Sequence, residues 1–338
     1  RYREALNPLL EAHQLGPGDT NSGLALAQTQ VKLGQGNAAL ETLATVADVP
    51  EKQRKNHHKL LALAVDLSDS RRAAQARSLI EQALAVDRSS KALWVALAEV
   101  ADRTNRTDEK FSALAKAFEL DPSDAEVGRK AVHVAIAMAQ LPEMDHAGTF
   151  EWYRKAAEVG KPLATKFPTS ENLMRVGEAE MKTHQYQDAV NRFEKRIKQG
   201  ADGAWVRFYL GSSYKGLEDY ETALEHLDVA LSKSPEPDLA VQIHSARGWS
   251  YRGQENFDLA AQAFRDAGES ERAEEMAGYA KNRKEWAQAK ADCVSKRTQI
   301  AKMRQDSDGL EGTAEWDELN REFDEVLAAC KPYFEDKT

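Results

Sequence analysis

Sulfur is scarce in this chain, and with it much of the chemistry that thiols and metals support. The 338 residues include two cysteines, Cys293 and Cys330, and no CxxC. HExxH, GxxxxGK[ST] and GxSxG are absent too, so a helix-borne zinc centre, a phosphate loop and a nucleophile elbow have no residues to form them. The string GQGNAAL at 34–40 has the small residues of a phosphate loop, but no strand pattern precedes it. His57 and His58 are neighbours and cannot both turn to one metal from a helix; solvated histidines are expected there, and a packed one at His244. No catalytic residue, metal site or cofactor is expected, and the chain reads as a non-enzyme.

Long apolar runs are missing as well. No stretch of 18 apolar residues occurs, so no membrane-spanning helix is expected. With 46 Lys+Arg against 55 Asp+Glu, the net charge of −9 speaks against general binding to nucleic acid or an anionic bilayer, while leaving room for a local basic patch. The 10 prolines, 42% hydrophobic and 30% charged residues suit a helical protein with a hydrated surface. The chain opens at Arg1 inside a helical pattern, YREALNPLLEAH, that reads as the second helix of a pair whose first is missing. A trimmed or processed chain is expected, so missing targeting motifs carry no weight.

What the chain does have is a recurring pattern. From Ala204 to Pro237, Leu210, Gly211, Tyr214, Tyr220, Ala223, Leu227, Ala230 and Pro235 fall at offsets 7, 8, 11, 17, 20, 24, 27 and 32. Small residues at offsets 8 and 20 let two helices of a pair approach closely, and one at 27 meets the next pair. Larger apolar residues at 4, 7, 11, 17 and 24 fill the seam. Such a pair cannot bury its apolar face alone, so copies must stack. Offset 8 recurs at Ala27, Ala64, Ala98, Ala135, Gly177, Gly211 and Gly248, seven repeats spaced by 37, 34, 37, 42, 34 and 37 residues. Two departures stand out: Lys110 at offset 20 of the third repeat, and Arg196 at offset 27 of the fifth. In the fourth repeat a loop over 141–149 precedes a second helix starting near 149, and Gly160 with Pro162 predicts a kink or break there. That break would be either a hinge or a local insertion in a rigid array.

These offsets make the chain resemble the tetratricopeptide repeat family over almost its whole length. The resemblance implies an all-α fold, a right-handed α-solenoid of stacked helix–turn–helix repeats, used as a binding scaffold. The division expected is a partial repeat or cap over 1–19, two blocks of repeats over 20–167 and 168–272, and a helical hairpin over 273–338. Family members that clamp the terminal carboxylate of chaperone tails use Lys and Asn at offsets 5 and 9. Here those offsets hold Phe208 and Ser212, then Ser245 and Trp249, so that function is not carried over.

Past residue 272 the spacing changes. Tyr279, Trp286, Cys293 and Ile300 are seven apart, and Trp316, Leu319, Phe323, Val326, Cys330 and Tyr333 alternate steps of three and four. Gly309 as a helix stop and Thr313 as an N-cap complete a long antiparallel hairpin. It could cap the solenoid, dimerise or fold back over the groove. If its helices turn between 308 and 314, facing residues sum to 622, and Cys293 with Cys330 sums to 623. A disulfide is geometrically reasonable, and it would imply a periplasmic or exported protein; two reduced core cysteines would imply the cytoplasm.

In this fold the first helix of each repeat lines the concave face, through offsets 2, 5, 9 and 12. Those offsets place Met174, Met181, Trp205, Phe208, Lys215, Trp249 and Arg252 there in the last three repeats. Aromatics, Met and flanking cations suit an extended peptide or helix; alternatively these side chains pack on the hairpin or on each other. The function expected is a non-catalytic scaffold binding a peptide segment or partner protein. The other reading is a regulatory or substrate-docking module of a larger enzyme. The sequence names neither the partner nor the oligomeric state.

Overall fold

The computed structural model describes residues 1–46, 48–306 and 313–333. Among them are helices and no strand, in two compact units, Arg1–Leu217 and Glu218–Thr338. The first unit holds α1 (Tyr2–Leu15), α2 (Thr20–Lys32), α3 (Gly36–Thr45), α4 (Glu51–Leu67), α5 (Ala73–Val86), α6 (Lys91–Arg103), α7 (Thr107–Leu120), α8 (Ala125–Ala139), α9 (His146–Lys166), α10 (Ser170–Lys182), α11 (Tyr186–Lys198) and α12 (Ala204–Gly216). The second holds α13 (Tyr220–Ser232), α14 (Pro237–Gly253), α15 (Phe257–Asp266), α16 (Ser270–Asp306) and α17 (Ala314–Cys330).

Short polar residues start several of these helices. Asp19 accepts from Ser22 N at 2.8 Å, Asp145 from Gly148 N at 2.7 Å and Thr169 from Asn172 N at 3.2 Å, each satisfying a backbone donor that the first turn leaves open. Asp145 thus opens the second helix of the fourth repeat at His146, three residues before the sequence expectation. The first helices of five of the seven repeats end in one way. Offset 15 holds Gly34, Asn105, His184, Glu218 and Glu255, and all five have φ between 51° and 74°. After four of them the next N–H reaches back across the turn at 2.8 Å: Gln35 to Gln30 O, Arg106 to Ala101 O, Gln185 to Glu180 O and Asn256 to Tyr251 O. This closing bond absorbs an orphan carbonyl and turns the chain into the second helix. Four of the five positions accept the left-handed conformation without glycine, which costs them roughly 1 kcal/mol each.

The seam follows the repeat arithmetic. A Cβ built on Gly177 would lie 2.8 Å from the Phe193 ring, and one on Gly248 would lie 2.7 Å from the Phe264 ring. Each aromatic at offset 24 therefore occupies the space of the missing methyl at offset 8. Where offset 8 is Ala27, Ala64 or Ala98, offset 24 is the smaller Leu43, Ile80 or Leu114, and all six are buried. In these five repeats volume is conserved across the contact, while the sixth pairs Gly211 with Leu227.

Three expectations change. The helix of the fourth repeat does not break at Gly160 and Pro162: α9 runs through both to Lys166. Gly160 is there for close approach, since a Cβ would lie 2.6 Å from Val176 of α10. Offset 11 is not always apolar. In the first repeat buried Gln30 accepts from Thr42 at 2.8 Å, and in the fifth fully buried Glu180 meets Arg192 at 3.3 Å, each linking offset 11 to offset 23. Nor are the adjacent histidines both solvated. His58 is buried with its Nδ1 3.7 Å from Asp87 Oδ2, and the pair borders a cavity of about 540 Å³.

Burial, and then the nearness of His58, lower His57 from 6.5 to about 4. The unfolded chain therefore takes up a proton that the folded protein refuses. Stability should fall as pH drops from about 6.5 toward about 4. Thermal melts across that window should slope less in His57→Gln than in the wild type; equal slopes would show that another group carries the dependence.

In the second unit Ala273, Met276 and Ala280 of α16 are buried, and the first two pack with Ala260, Ala261 and Phe264 of α15. The start of α16 thus caps the apolar face of the last repeat. Tyr279 meets Phe257 at 5.5 Å between ring centroids, and Ile300 is buried, but Trp286 is half exposed, with Tyr333 at 6.1 Å. The seven-residue seam therefore serves two partners in succession, because α17 is shorter than α16. Cys293 and Cys330 lie at disulfide distance, with Cα atoms 5.6 Å apart. Thr313 caps α17 by accepting from Trp316 N at 3.2 Å; Gly309 lies outside the described residues.

Candidate functional site

The first helices of the repeats supply the candidate site. At the end of the first unit, Trp205 is 40% exposed while Phe208 and Met181 are each 8% exposed; Met174 and Lys215 are half-buried. Trp205, Phe208 and Tyr209 form a cluster with centroids 5.3–6.0 Å apart, and Tyr209 stacks on Phe193 at 5.7 Å. Met181 and Phe208 thus belong to the packing, and Trp205 is the apolar side chain of this group that faces water.

Beside this cluster sits a polar one. Glu178 Oε1 accepts from Gln140 Nε2 and Tyr153 Oη, both at 3.3 Å. Burial pushes the Glu178 carboxyl up against the opposing pull of Lys182, and burial pushes Tyr153 up to about 12 and Tyr209 up as well. Lys215 is pushed down by burial and by Lys182. An ammonium and a carboxyl whose charged forms are both disfavoured leave this wall less polar than its residue types suggest.

Trp249 and Arg252 belong to the second unit. Trp249 is half-buried, edge-on to Phe264 at 5.3 Å, with the guanidinium groups of Arg252 and Arg272 at 5.2 and 5.4 Å from its ring centroid. Much of its ring is already covered by its own unit.

A larger feature lies on the first helices of the third to fifth repeats. α4 packs on α6 and α8 on α10, whereas the backbones of α6 and α8 approach each other less closely. A groove of about 430 Å³ crosses α8 from α6 to α10. Val95, Val132 and Val176 give it apolar walls, and Arg129, Lys130 and Glu171 are among its charged lining. Its size is that of a ligand cleft. Lys110, one of the two departures from the repeat pattern, lines it and binds Asp102 of α6 at 2.6 Å, so an ion pair replaces the usual small-residue contact. The other departure, Arg196, is structural: it donates to Ser170 O at 3.1 Å and Ala201 O at 3.0 Å.

The sequence reading missed this groove because it left the fourth repeat out of the face. The signal was present: Arg129, Glu171 and Trp205 all stand at offset 2, on α8, α10 and α12. Asn172, also in the lining, is buried; its amide donates to Phe167 O at 2.8 Å and its carbonyl oxygen has no partner.

Stacked two-helix repeats with small residues at the crossings define an α-solenoid. Residues 61–125 match the model of the tetratricopeptide repeat, so that resemblance is shown across the segment containing Ala64 and Ala98. A search of the curated proteins finds no match. Among solved structures the chain is similar to MamA 41-end from Desulfovibrio magneticus RS-1, at 20% identity and TM-score 0.41 over 54% of this chain and 96% of that one. It is similar to YrrB, described as a TPR protein with an unusual peptide-binding site, at 17% identity and TM-score 0.42 over 60% and 97%. A third likeness, to Naa15/Naa10 bound to HypK-THB, has 16% identity and TM-score 0.49 over 72% of this chain and 36% of that one. No helix among the described residues is long and apolar enough to cross a membrane.

Proposed function

We propose that the protein is a non-catalytic scaffold that binds an extended peptide segment of a partner protein across the first helices of its repeats. The observation that carries this reading is the groove over α8, with apolar walls and a charged rim, on a fold whose other helices are stacked against their neighbours. The offset-2 row supports it: a segment laid across α8, α10 and α12 would meet Arg129, Glu171 and the exposed Trp205 in turn. Met174 of α10 and Lys215 of α12 stand half-buried on the same helices. Trp249 and Arg252 are retained as a separate contact surface on the second unit.

The test uses random dodecapeptides displayed between folded flanks, selected against the full chain and then measured in solution. Selected peptides should lose about 2 kcal/mol of affinity on Trp205→Ala, the cost of removing an interfacial aromatic anchor. The melting temperature should hold, because Trp205 is the exposed member of its cluster. A stability loss without an affinity loss would assign Trp205 to packing and remove it from the binding face.

A further inference from the structure

We propose that Arg129 makes the groove across α8 selective for an acidic side chain, an Asp or Glu within the bound segment. The inference rests on the scaffold reading and adds the chemistry of one contact. The carboxylates of the groove lining are already paired. Asp102 is bound to Lys110 at 2.6 Å, Glu99 to Arg103 at 3.0 Å and Glu171 to Arg175 at 3.1 Å. Lys130, next to Arg129, is paired with Glu126 at 2.9 Å. Arg129 is half-buried and has no hydrogen bond or ion pair among the described residues.

The charge left over in this groove is therefore one guanidinium, in a protein of net charge −9. A half-buried guanidinium next to apolar walls is short of water, and a carboxylate is the partner that matches its paired donors. Asn172 adds a second unmet need in the same lining. Its buried carbonyl oxygen has no partner among the described residues, and a peptide N–H that reached it through a shift of the covering side chains is a donor able to satisfy it. The two together describe an extended chain, backbone toward α10 and one acidic side chain on α8.

The carboxylate belongs to an internal residue. The groove continues past α8 on both sides, to α6 and to α10, where Glu171 lines it, and Trp205 stands at the same offset on α12. A chain that reaches those residues runs through the Arg129 position and does not end there.

The experiment continues with the selected dodecapeptides, measured by fluorescence polarisation with free and with amidated C-termini. They should share an acidic position, and Glu→Gln there should weaken binding roughly ten-fold or more. In Arg129→Gln that discrimination should collapse to within about two-fold, while Lys130→Gln, whose partner is Glu126, should keep it. Because Arg129 has no hydrogen-bond or ion-pair partner among the described residues, its variant should melt with the wild type. Peptides without a shared acidic position, full discrimination retained in Arg129→Gln, or a requirement for the free C-terminus would each overturn the proposal while leaving the scaffold intact. Failure to select any peptide would overturn the scaffold reading itself.

Discussion

Replacing Arg192 with methionine should destabilise the first unit by about 3–5 kcal/mol, the usual cost of leaving one partner of a buried ion pair alone. Glu180 is completely buried on α10, and one of its oxygens has no partner even with Arg192 in place, 3.3 Å from the other. Burial holds the Glu180 carboxyl above its ordinary value, with Arg192 pulling it back down. Without the guanidinium that restraint is gone and the raised value should rise further. The sign follows: a carboxyl that protonates more readily folded than unfolded gains stability as pH falls. Urea unfolding of Arg192→Met should therefore show its deficit at neutral pH and recover part of it in mild acid. Glu180→Leu combined with Arg192→Met should return most of the loss, since an apolar pair of similar volume needs no charge compensation. A loss under about 1 kcal/mol for the single variant, or one indifferent to pH, would show that water already reaches Glu180.

Reducing the Cys293–Cys330 bridge should unfold α17 and leave the repeats standing. The two residues are 37 apart in sequence, and closing a loop of that length contributes about 4 kcal/mol in the chain-entropy model. Few other side chains of the hairpin are fully buried. In α17 Cys330 is the buried residue, and α16 beyond Ala280 is mostly exposed. Repeats and hairpin have separate supports, because α16 caps the last repeat through Ala273 and Met276, upstream of the bridge. Hydrogen exchange after reduction, or in Cys293→Ala with Cys330→Ala, should lose protection over 314–330 while α15 and the start of α16 keep theirs. Protein taken from its native compartment should yield no free thiol under denaturing, non-reducing conditions. Two free thiols would refute the bridge and favour the cytoplasmic reading.

Local spacing carried much of this architecture. Helix pairs, their crossings at offset 8, the end-to-end matching of Cys293 with Cys330 and the cap at Thr313 were legible because each depends on residues near in the chain or related by simple counting. Lys110 and Arg196 were also visible, as side chains too large for their positions. Their meanings were not. Lys110 borders an opening because of where Asp102 and α8 stand, and Arg196 fills a small-residue position because two carbonyls, Ser170 and Ala201, happen to be within reach.

The face itself needed the tertiary structure. Offsets say which way a side chain leaves its helix, and neighbouring helices decide whether anything covers it. Phe208 and Trp205 share a face by count, yet one is buried and the other exposed. Gly160 and Pro162 read as a break, but the close packing of Val176 on Gly160 accompanies an α9 that continues to Lys166. Repetition in a sequence specifies the contact that every repeat makes, through small residues that must fit. Where two repeats part, and which charge is left unpaired in the gap, depends on the sum of several non-repeating contacts, and that sum exists only once the helices are in place.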